Sequence, residues 1–200
     1  MRPVEDPPVA ALSEVSKWAL DYFDTVRQLM QRIDLKILEE IIQQLRLARD
    51  RGASLFLIGN GGSAATSSHF ANDLAKASKQ RGGSRLRIFS LTDNVAWMTA
   101  LANDDGYENV FKGQLENHLS PGDILIAISA SGNSPNLLEA VRLAKERKAL
   151  TVALIGFEGG ALRSLVDLAL FIPSEPGVYG PVEDVHMMLQ HLITECLRRS

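Results

Sequence analysis

The sequence of 200 residues contains one cysteine, Cys196. A single thiol cannot form an internal disulfide, and it cannot supply the thiolate cluster of a structural zinc site. Such cysteine usage is typical of proteins that work in a reducing compartment. Hydrophobic residues make up 46% of the chain, which is enough for one domain with a sizeable apolar core. We therefore expect a globular, cytoplasmic protein.

Long apolar runs and an excess of positive charge are also absent. No apolar run approaches the roughly 20 residues of a membrane-spanning helix, and the N-terminal MRPVEDPPVA does not place an apolar core after a basic segment. The 24 acidic residues outnumber the 21 lysines and arginines, which gives a formal net charge of −3. The charge balance therefore gives no support to nucleic-acid binding.

Two nucleotide-binding signatures are missing as well. The P-loop pattern G-x-x-x-x-G-K-[ST] does not occur, and in GNGGSA (residues 59–64) Ala64 stands where a dinucleotide-binding motif has its last glycine. The nucleophile-elbow pattern G-x-S-x-G of hydrolases is also absent. These absences argue against a nucleotide kinase and against a hydrolase with that elbow.

The stretch LFLIGNGGSAATSSH, residues 55–69, is the most informative part of the sequence. Its apolar start is typical of a strand covered on both faces, and a glycine-rich turn then leads into helix-forming residues. The first N–H groups of a helix lack partners and carry the positive end of its dipole, so such a turn attracts an anion. The side chains of Asn60 and Ser63 offer further hydrogen bonds. Taken alone, the segment is equally consistent with a tight structural turn.

Apolar strands and amphipathic helices alternate along the chain, a pattern that predicts an α/β fold. We expect one doubly wound domain with a five-stranded, mainly parallel sheet flanked by helices, and two N-terminal helices before the first strand. Ser13 and Asp34 are the expected N-caps of those two helices. The predicted strands are 54–58, 86–91, 124–128, 152–155 and 168–172, and the predicted helices after the first strand are 63–79, 94–102, 107–118, 135–147 and 181–199.

The chain divides into a short tail and one domain. The proline-rich residues 1–10 are expected to be disordered, and the domain covers 11–200. It comprises a helical hairpin (11–52), a sheet core (53–173) and a C-terminal helix (181–199). The apolar faces of the hairpin helices are wide, so packing on a partner subunit and packing within the monomer alone both remain open.

A second loop rich in hydroxyl groups, SASGNS at 129–134, follows the predicted strand 124–128. Ligands of doubly wound sheets bind beyond the carboxyl ends of the strands, where this loop and the glycine turn both lie. The hydroxyls of Ser129, Ser131 and Ser134 suit the three oxygens of a phosphate monoester. Together the two loops predict a phosphorylated ligand.

Two sets of titratable residues accompany these loops. His69 and Asp73 are four residues apart on a predicted helix and therefore share a face. Glu183 and His186 share a face of the last helix, and His191 lies about 12 Å beyond Glu183 along the helix axis. Either set is able to bind a metal ion or to transfer protons. A solvated or interface helix face is the alternative for both.

Several of these segments together resemble the SIS (sugar isomerase) domain family, in particular its phosphoheptose isomerase branch. They are GNGGSAATSSHF, ISASGNSPN, and the EDVH of the last helix with a later histidine. The resemblance covers nearly the whole chain. It implies a five-stranded parallel sheet, a homotetramer with sites between subunits, and isomerisation of sedoheptulose 7-phosphate to the aldose heptose 7-phosphate through an enediol. It also implies a divalent metal, which is zinc in several members.

The resemblance assigns roles to individual residues. The proton-transfer residues it implies are Asp73 and His191. The implied metal ligands are His69, Asp73, Glu183 and His191. The implied substrate-binding residues are Asn60, Gly61, Gly62 and Ser63 in the first loop, and Ser129, Ala130, Ser131 and Ser134 in the second. Asp93 and Asn94, which follow the predicted strand 86–91, are further candidates for sugar hydroxyls, although a helix cap at Asp93 is the favoured reading of this pair.

Two positions depart from the family pattern. Asp73 stands where the usual residue is glutamate, and Glu183 stands where it is glutamine. Aspartate is one methylene shorter, so the geometry of proton abstraction at Asp73 differs from that of the family. Two carboxylates beside two imidazoles still form a suitable site for a divalent ion.

A non-catalytic SIS-domain protein, which senses a phosphosugar or serves as an assembly scaffold, is the alternative function. A scaffold needs none of the residues His69, Glu183 and His191 beside a carboxylate at position 73. This set therefore favours an isomerase, while aspartate in place of glutamate argues mildly for the alternative.

Overall fold

The computed structural model describes residues 13–77 and 85–199. The predicted disordered tail 1–10 lies outside these residues. Two helices come first, α1 (Glu14–Met30) and α2 (Leu35–Asp50). The elements that follow are β1 (Ser54–Gly59), α3 (Gly62–Ala77), β2 (Arg87–Ser90), α4 (Val95–Asp104), a 3-10 turn (Tyr107–Asn109), α5 (Lys112–His118), β3 (Ile124–Ser129), α6 (Pro135–Glu146), β4 (Leu150–Ile155), α7 (Leu162–Leu165), β5 (Leu168–Phe171) and α8 (Tyr179–Arg198).

The five strands form one parallel sheet in the order β2-β1-β3-β4-β5. The predicted fold class is therefore confirmed, including the two helices that precede the first strand. The chain turns back from β2 to the far side of β1 to form β3, so the strand order reverses between β1 and β3. In doubly wound sheets this reversal opens a crevice at the carboxyl ends of the two strands.

Apolar side chains cover the sheet on both faces, which is why its central strands are continuous apolar runs. Every residue of β1 and of β3 is buried. One core contains residues of α2, α3 and α8, with Phe70 of α3 fully buried, and the other contains residues of α5 and α6, with Phe111 fully buried. Burial of each such phenylalanine contributes roughly 2–3 kcal/mol.

Both predicted N-caps of the helical hairpin are present. The Ser13 hydroxyl accepts a hydrogen bond from the Ser16 N–H at 3.2 Å, and the Asp34 carboxylate accepts one from the Lys36 N–H at 2.9 Å. Each bond satisfies a backbone donor that the first helical turn leaves unpaired, an effect worth about 1 kcal/mol. Local sequence therefore fixes where α1 and α2 begin.

The predicted single helix over 107–118 is wrong. Gly106 adopts a positive φ of 89° and leads into the 3-10 turn, and α5 begins only at Lys112. Val110 and Phe111, which lie at the break, are completely buried. Packing of these two side chains into the core therefore overrides the helical preference of the local sequence.

Helix α1 exposes several large apolar side chains. Leu29 is its only buried residue, whereas Val15, Trp18 and Phe23 are 69%, 61% and 65% exposed. The wide apolar face that the sequence predicts thus lies on the surface of the monomer. In the part of the chain that the structure describes, no helix combines the length and the apolar character needed to cross a bilayer.

His186 is a buried titratable group in the middle of α8. Its side chain is 1% exposed, and neither ring nitrogen has a hydrogen-bond partner among the described residues. Burial lowers the pKa of His186 from 6.5 to about 4. The backbone of Ile155 raises the pKa of His186 and so opposes this shift in part. The imidazole is therefore neutral in the folded protein at neutral pH.

This burial predicts a loss of stability in mild acid. Between pH 6.5 and pH 4 the unfolded chain binds a proton at His186 that the folded chain does not, so the free energy of unfolding falls as the pH falls. The expected contribution is roughly 2 kcal/mol at pH 5. Urea unfolding at pH 7.5 and pH 5.0, at one protein concentration, measures it. His186→Leu should reduce the difference in the free energy of unfolding between the two pH values by roughly 2 kcal/mol. An unchanged difference would show that His186 does not cause the loss of stability in acid.

Candidate active site

The loops that follow β1 and β3 meet at the carboxyl edge of the sheet. Gly59 of β1 is the register partner of Ile128 in β3, so the glycine turn lies directly beside the serine-rich loop. A cavity of about 200 Å³ opens between them, and we refer to it as the switch-point pocket. Its lining residues are Asn60, Ser63, Ile128, Ser129, Ala130, Ser131, Ser134, Leu137, Tyr179 and Glu183.

A pair of amide side chains holds the two loops together. Asn60 and Asn136 donate to one another through their amide groups at 3.0 and 2.8 Å, and the Tyr107 hydroxyl donates to the same Asn60 oxygen at 3.2 Å. Asn136 is buried, so these bonds also satisfy polar groups that water does not reach. Asn60, which is predicted to bind substrate, lines the pocket and at the same time fixes the position of the loop.

The glycine turn places the start of α3 at the pocket. Gly61 has a positive φ of 53°, which allows the chain to turn sharply before the helix begins at Gly62. Ser63 is buried in the pocket wall, whereas Gly61 and Gly62, also predicted to bind substrate, are not among the lining residues. The amino end of a sixteen-residue helix, with its unpaired N–H groups, is therefore directed at this region.

Local hydrogen bonds between side chain and backbone shape the serine-rich loop. The Ser129 hydroxyl accepts from the Gly132 N–H at 3.0 Å, and the Ser131 hydroxyl accepts from the Asn133 N–H at 3.4 Å. Gly132 has φ +67°, and a Cβ atom there would lie 2.1 Å from the Gly159 oxygen, so no larger residue fits. Ser134 is the N-cap of α6 but makes no side-chain capping bond, which leaves its hydroxyl available at a helix amino end.

A second group of residues lies on the facing sides of α3 and α8. The Nε2 atoms of His69 and His191 lie 3.1 and 3.6 Å from the Oδ2 atom of Asp73. Asn72 donates to the other carboxylate oxygen of Asp73 at 3.0 Å. One ligand atom from each of His69, Asp73 and His191 lies within 4.8 Å of the others. We call these three residues the His-Asp-His cluster.

The cluster fits a divalent metal ion. Ligand atoms about 2.0–2.1 Å from a tetrahedral ion lie about 3.3 Å apart, which is close to the two observed nitrogen-to-oxygen distances. Two imidazoles and one carboxylate are a common donor set for a catalytic ion, in which a further position stays open. The two histidine side chains are 42% and 52% exposed, so a substrate is able to reach that position.

Glu183 lies outside this cluster, although the resemblance assigns it to the metal. Its carboxylate rests against the first residue of α3: a Cβ atom built on Gly62 would lie 2.8 and 2.9 Å from the two carboxylate oxygens. The same side chain lines the switch-point pocket. The structure thus separates the four predicted metal ligands into a cluster of three and one carboxylate at the pocket.

A hydrogen bond joins a tyrosine of α1 to the first turns of α8. The Tyr22 hydroxyl donates to Asp184 at 2.6 Å, and burial together with the negative charges of Asp184 and Glu183 raises the pKa of Tyr22 to about 12. The phenol therefore stays protonated and keeps donating across the physiological pH range. Sequence reasoning missed this pair, because 162 residues separate its members and neither forms a recognisable motif.

Asp93 and Asn94 line a different, wider groove of about 640 Å³, together with Ser68, Asn72 and Phe89. The favoured reading of a helix cap at Asp93 is wrong. Asn94 is the N-cap of α4 and accepts from the Trp97 N–H at 3.1 Å, while Asp93 accepts from the Ser68 hydroxyl. Tyr179 lines the switch-point pocket and was not among the predicted site residues; it is the first residue of α8, two positions before the predicted start of the last helix at residue 181.

Known proteins resemble the chain in sequence and in structure. The family model described as SIS domain matches residues 21–156. The phosphoheptose isomerase of Pelobacter propionicus is 36% identical over 82% of this chain and 85% of that protein, and that of Helicobacter pylori is 36% identical over 81% and 83%. The solved structure of phosphoheptose isomerase GmhA from Neisseria gonorrhoeae has a TM-score of 0.83 at 26% identity and covers 93% of this chain and 97% of its own.

The similarities extend over most of the chain and most of its relatives. The family model spans well over half of the chain, and the curated relatives align over more than four fifths of their own length. The predicted resemblance is therefore confirmed. The chain belongs to the SIS domain family, in the group whose curated members carry the name phosphoheptose isomerase.

Proposed function

We propose that the chain is an aldose-ketose isomerase that interconverts sedoheptulose 7-phosphate and the corresponding heptose 7-phosphate through an enediol. The proposal rests mainly on the position of α3. This helix begins at the switch-point pocket, and two of its residues, His69 and Asp73, belong to the His-Asp-His cluster. One rigid helix thus joins a site suited to phosphate with groups suited to proton transfer. The names of the relatives point to the same reaction.

The serine-rich loop is the proposed phosphate site. Ser129, Ser131 and Ser134 bring three hydroxyls to one pocket, and Ser134 stands at the amino end of α6. Hydroxyl donors and unpaired backbone N–H groups bind phosphate oxygens, and the dipole of a helix favours negative charge at this end. Asn60 and Ser63 line the same pocket and are proposed to contact the sugar. Asp93, exposed in the neighbouring groove, is a further proposed contact for hydroxyls.

The reaction requires a base for a carbon-bound proton and a donor for the carbonyl oxygen. His191 is proposed to donate protons to the sugar oxygens and to accept protons from them. Its Nε2 atom lies 3.6 Å from the Oδ2 atom of Asp73. Asp73, the carboxylate that the family resemblance implies, is the proposed base for the carbon-bound proton. His69, Asp73 and His191 would hold a divalent ion, for which zinc suits the donor set, and such an ion would stabilise negative charge on the substrate oxygens.

A homotetramer with sites between subunits is the proposed assembly. The exposed apolar residues of α1 support this assignment, since a patch with Val15, Trp18 and Phe23 is costly to leave in water. A closed assembly of identical chains buries such a face.

We also propose a cytoplasmic location. The single cysteine supports it, since proteins of a reducing compartment do not depend on disulfides.

Deuterium exchange tests the proposed reaction. Incubation with sedoheptulose 7-phosphate in deuterium oxide should place deuterium at carbon 1 of the ketose and at carbon 2 of the aldose, which NMR detects. His191→Ala should slow exchange by roughly 100-fold or more, because it removes a proton-transfer group. Sedoheptulose without the phosphate serves as the control ligand and should exchange far more slowly. Saturable binding of the phosphosugar without exchange would instead favour a phosphosugar sensor.

Metal analysis tests the cluster. His69→Ala should lower the affinity for zinc by roughly 100-fold, because it removes one of three ligands. His118→Ala is the matched control, since His118 is an exposed histidine that stacks on Phe89 and is not one of the three cluster residues. The bound zinc is measured by mass spectrometry after dialysis against a buffered zinc concentration. Equal zinc in the two variants would contradict the assignment.

Sedimentation tests the assembly. The wild-type protein should sediment as a tetramer, and the double variant Trp18→Glu, Phe23→Glu should sediment as a smaller species, because two charges then replace apolar surface. Lys17→Glu, an exposed polar position of the same helix, should leave the tetramer intact. A wild-type monomer, or a double variant that remains a tetramer, would show that α1 does not form the interface.

A further inference from the structure

Three elements of the fold meet at the side chain of Asn60. This residue directly follows β1, Asn136 is the second residue of α6, and Tyr107 begins the 3-10 turn after α4. Asn60 lines the switch-point pocket, whereas Asn136 and Tyr107 are not among its lining residues. Two residues that do not line the pocket thus bond to one that does.

The backbone of α6 determines the orientation of the Asn136 amide. Its Oδ1 atom accepts from the Leu137 N–H at 3.0 Å, and a backbone N–H is always a donor. An exchange of the oxygen and nitrogen atoms of this amide would place two N–H groups against each other. The Asn136 side chain is 1% exposed, so water does not compensate for such a contact. The Nδ2 atom of Asn136 must therefore be the atom that meets the Asn60 oxygen.

The orientation of Asn136 sets that of Asn60 in turn. The Nδ2 atom of Asn136 donates to the Oδ1 atom of Asn60 at 2.8 Å, and the Nδ2 atom of Asn60 donates back at 3.0 Å. The Tyr107 hydroxyl donates to the same Asn60 oxygen at 3.2 Å. An amide oxygen has two lone pairs, and an amide nitrogen has two N–H groups. Within the described residues, both lone pairs of the Asn60 amide are thus occupied, and one N–H group remains for a ligand.

These bonds also prepare the remaining N–H group for a ligand. Hydrogen bonds in a chain polarise one another, so an amide that accepts two bonds at its oxygen is a stronger donor at its nitrogen. An amide held on both sides also loses little freedom when the ligand binds. Oxygen atoms of a phosphosugar accept such a bond, whereas a sugar hydroxyl that has to donate finds no free acceptor in the Asn60 amide.

We infer that Asn136 and Tyr107 are positioning residues that fix Asn60 as a hydrogen-bond donor to the phosphosugar, an inference that rests on the proposed function. Asn60 contacts an oxygen atom of the ligand through its second Nδ2 hydrogen. Tyr107 acts by occupying the second lone pair of the Asn60 oxygen, and Asn136 acts by orienting the amide. Both residues therefore affect binding only while the Asn60 amide is present.

A double-mutant cycle tests this dependence. Calorimetry measures the affinity for sedoheptulose 7-phosphate of the wild-type protein, of Asn60→Ala, of Tyr107→Phe and of Asn136→Ala, with the last two also combined with Asn60→Ala. Tyr107→Phe should bind roughly fivefold more weakly and Asn60→Ala roughly tenfold more weakly, because each loses hydrogen bonds. Each double variant should bind no more weakly than Asn60→Ala alone. Tyr107 is 55% exposed, so its variant tests the inference even where the buried Asn136 does not tolerate replacement.

Asn103→Ala is the matched control, since Asn103 is an exposed asparagine of α4 that does not line the pocket. This variant should bind the sugar like the wild-type protein. Calorimetric binding at the same stoichiometry shows that each variant is folded.

The side-chain amide signals of Asn60 give a second readout, which a purely structural role of Tyr107 would not change. NMR of the nitrogen-15-labelled protein identifies these two protons by their absence in Asn60→Ala. Addition of sedoheptulose 7-phosphate should shift one of them, because that proton then bonds to the ligand. Tyr107→Phe should reduce the shift, since the amide is then a weaker donor.

Three results would overturn the inference. They are additive losses of affinity in the double variant of Tyr107 and Asn60, an unchanged affinity in Tyr107→Phe, and Asn60 amide signals that the sugar does not move. A wild-type protein that binds the phosphosugar without isomerising it would contradict the proposed function, and the cycle would still decide the inference. A wild-type protein that does not bind the phosphosugar would contradict both.

Discussion

The pairing of β1 with β3 is the constraint on which the rest of the site depends. Residues 55–59 lie in parallel register with 124–128, and both strands are completely buried. Because parallel strands end at the same edge, the glycine turn and the serine-rich loop leave the sheet side by side. The Asn60–Asn136 amide pair closes this junction with two hydrogen bonds. Residues of both loops line the pocket, and a shift of one residue in register would turn the side chains of one strand to the opposite face of the sheet.

The packing of α3 beside α8 explains how the remaining groups are arranged. Gly62 and His69 are seven residues apart on α3, and Glu183 and His191 are eight apart on α8, so each pair spans about two helical turns, or roughly 10–12 Å. Since Glu183 touches Gly62 and His191 touches His69, the two helices are aligned along their length. One carboxylate is therefore placed at the pocket, and two imidazoles with a second carboxylate are placed further along the same groove between helices.

Much of this arrangement follows from local sequence, and the rest depends on contacts between distant residues. The continuous apolar runs predict the strands, and Ser13 and Asp34 predict two helix starts, because strand burial and capping each leave a mark within a few residues. The direction of the Glu183 side chain leaves no such mark, since it is set by the neighbouring α3. The bond between Tyr22 and Asp184 and the break before α5 are likewise decided by tertiary packing.

A crystal structure of the chain with sedoheptulose 7-phosphate bound is the most direct test of this account. We expect the phosphate on the hydroxyls of Ser129, Ser131 and Ser134, with carbons 1 and 2 of the sugar beside Asp73 and His191. Reacting carbons bound far from both Asp73 and His191 would contradict the proposed proton-transfer residues. Phosphate bound elsewhere, for example in the groove beside Asp93, would contradict the central claim that the β1–β3 junction forms the substrate site.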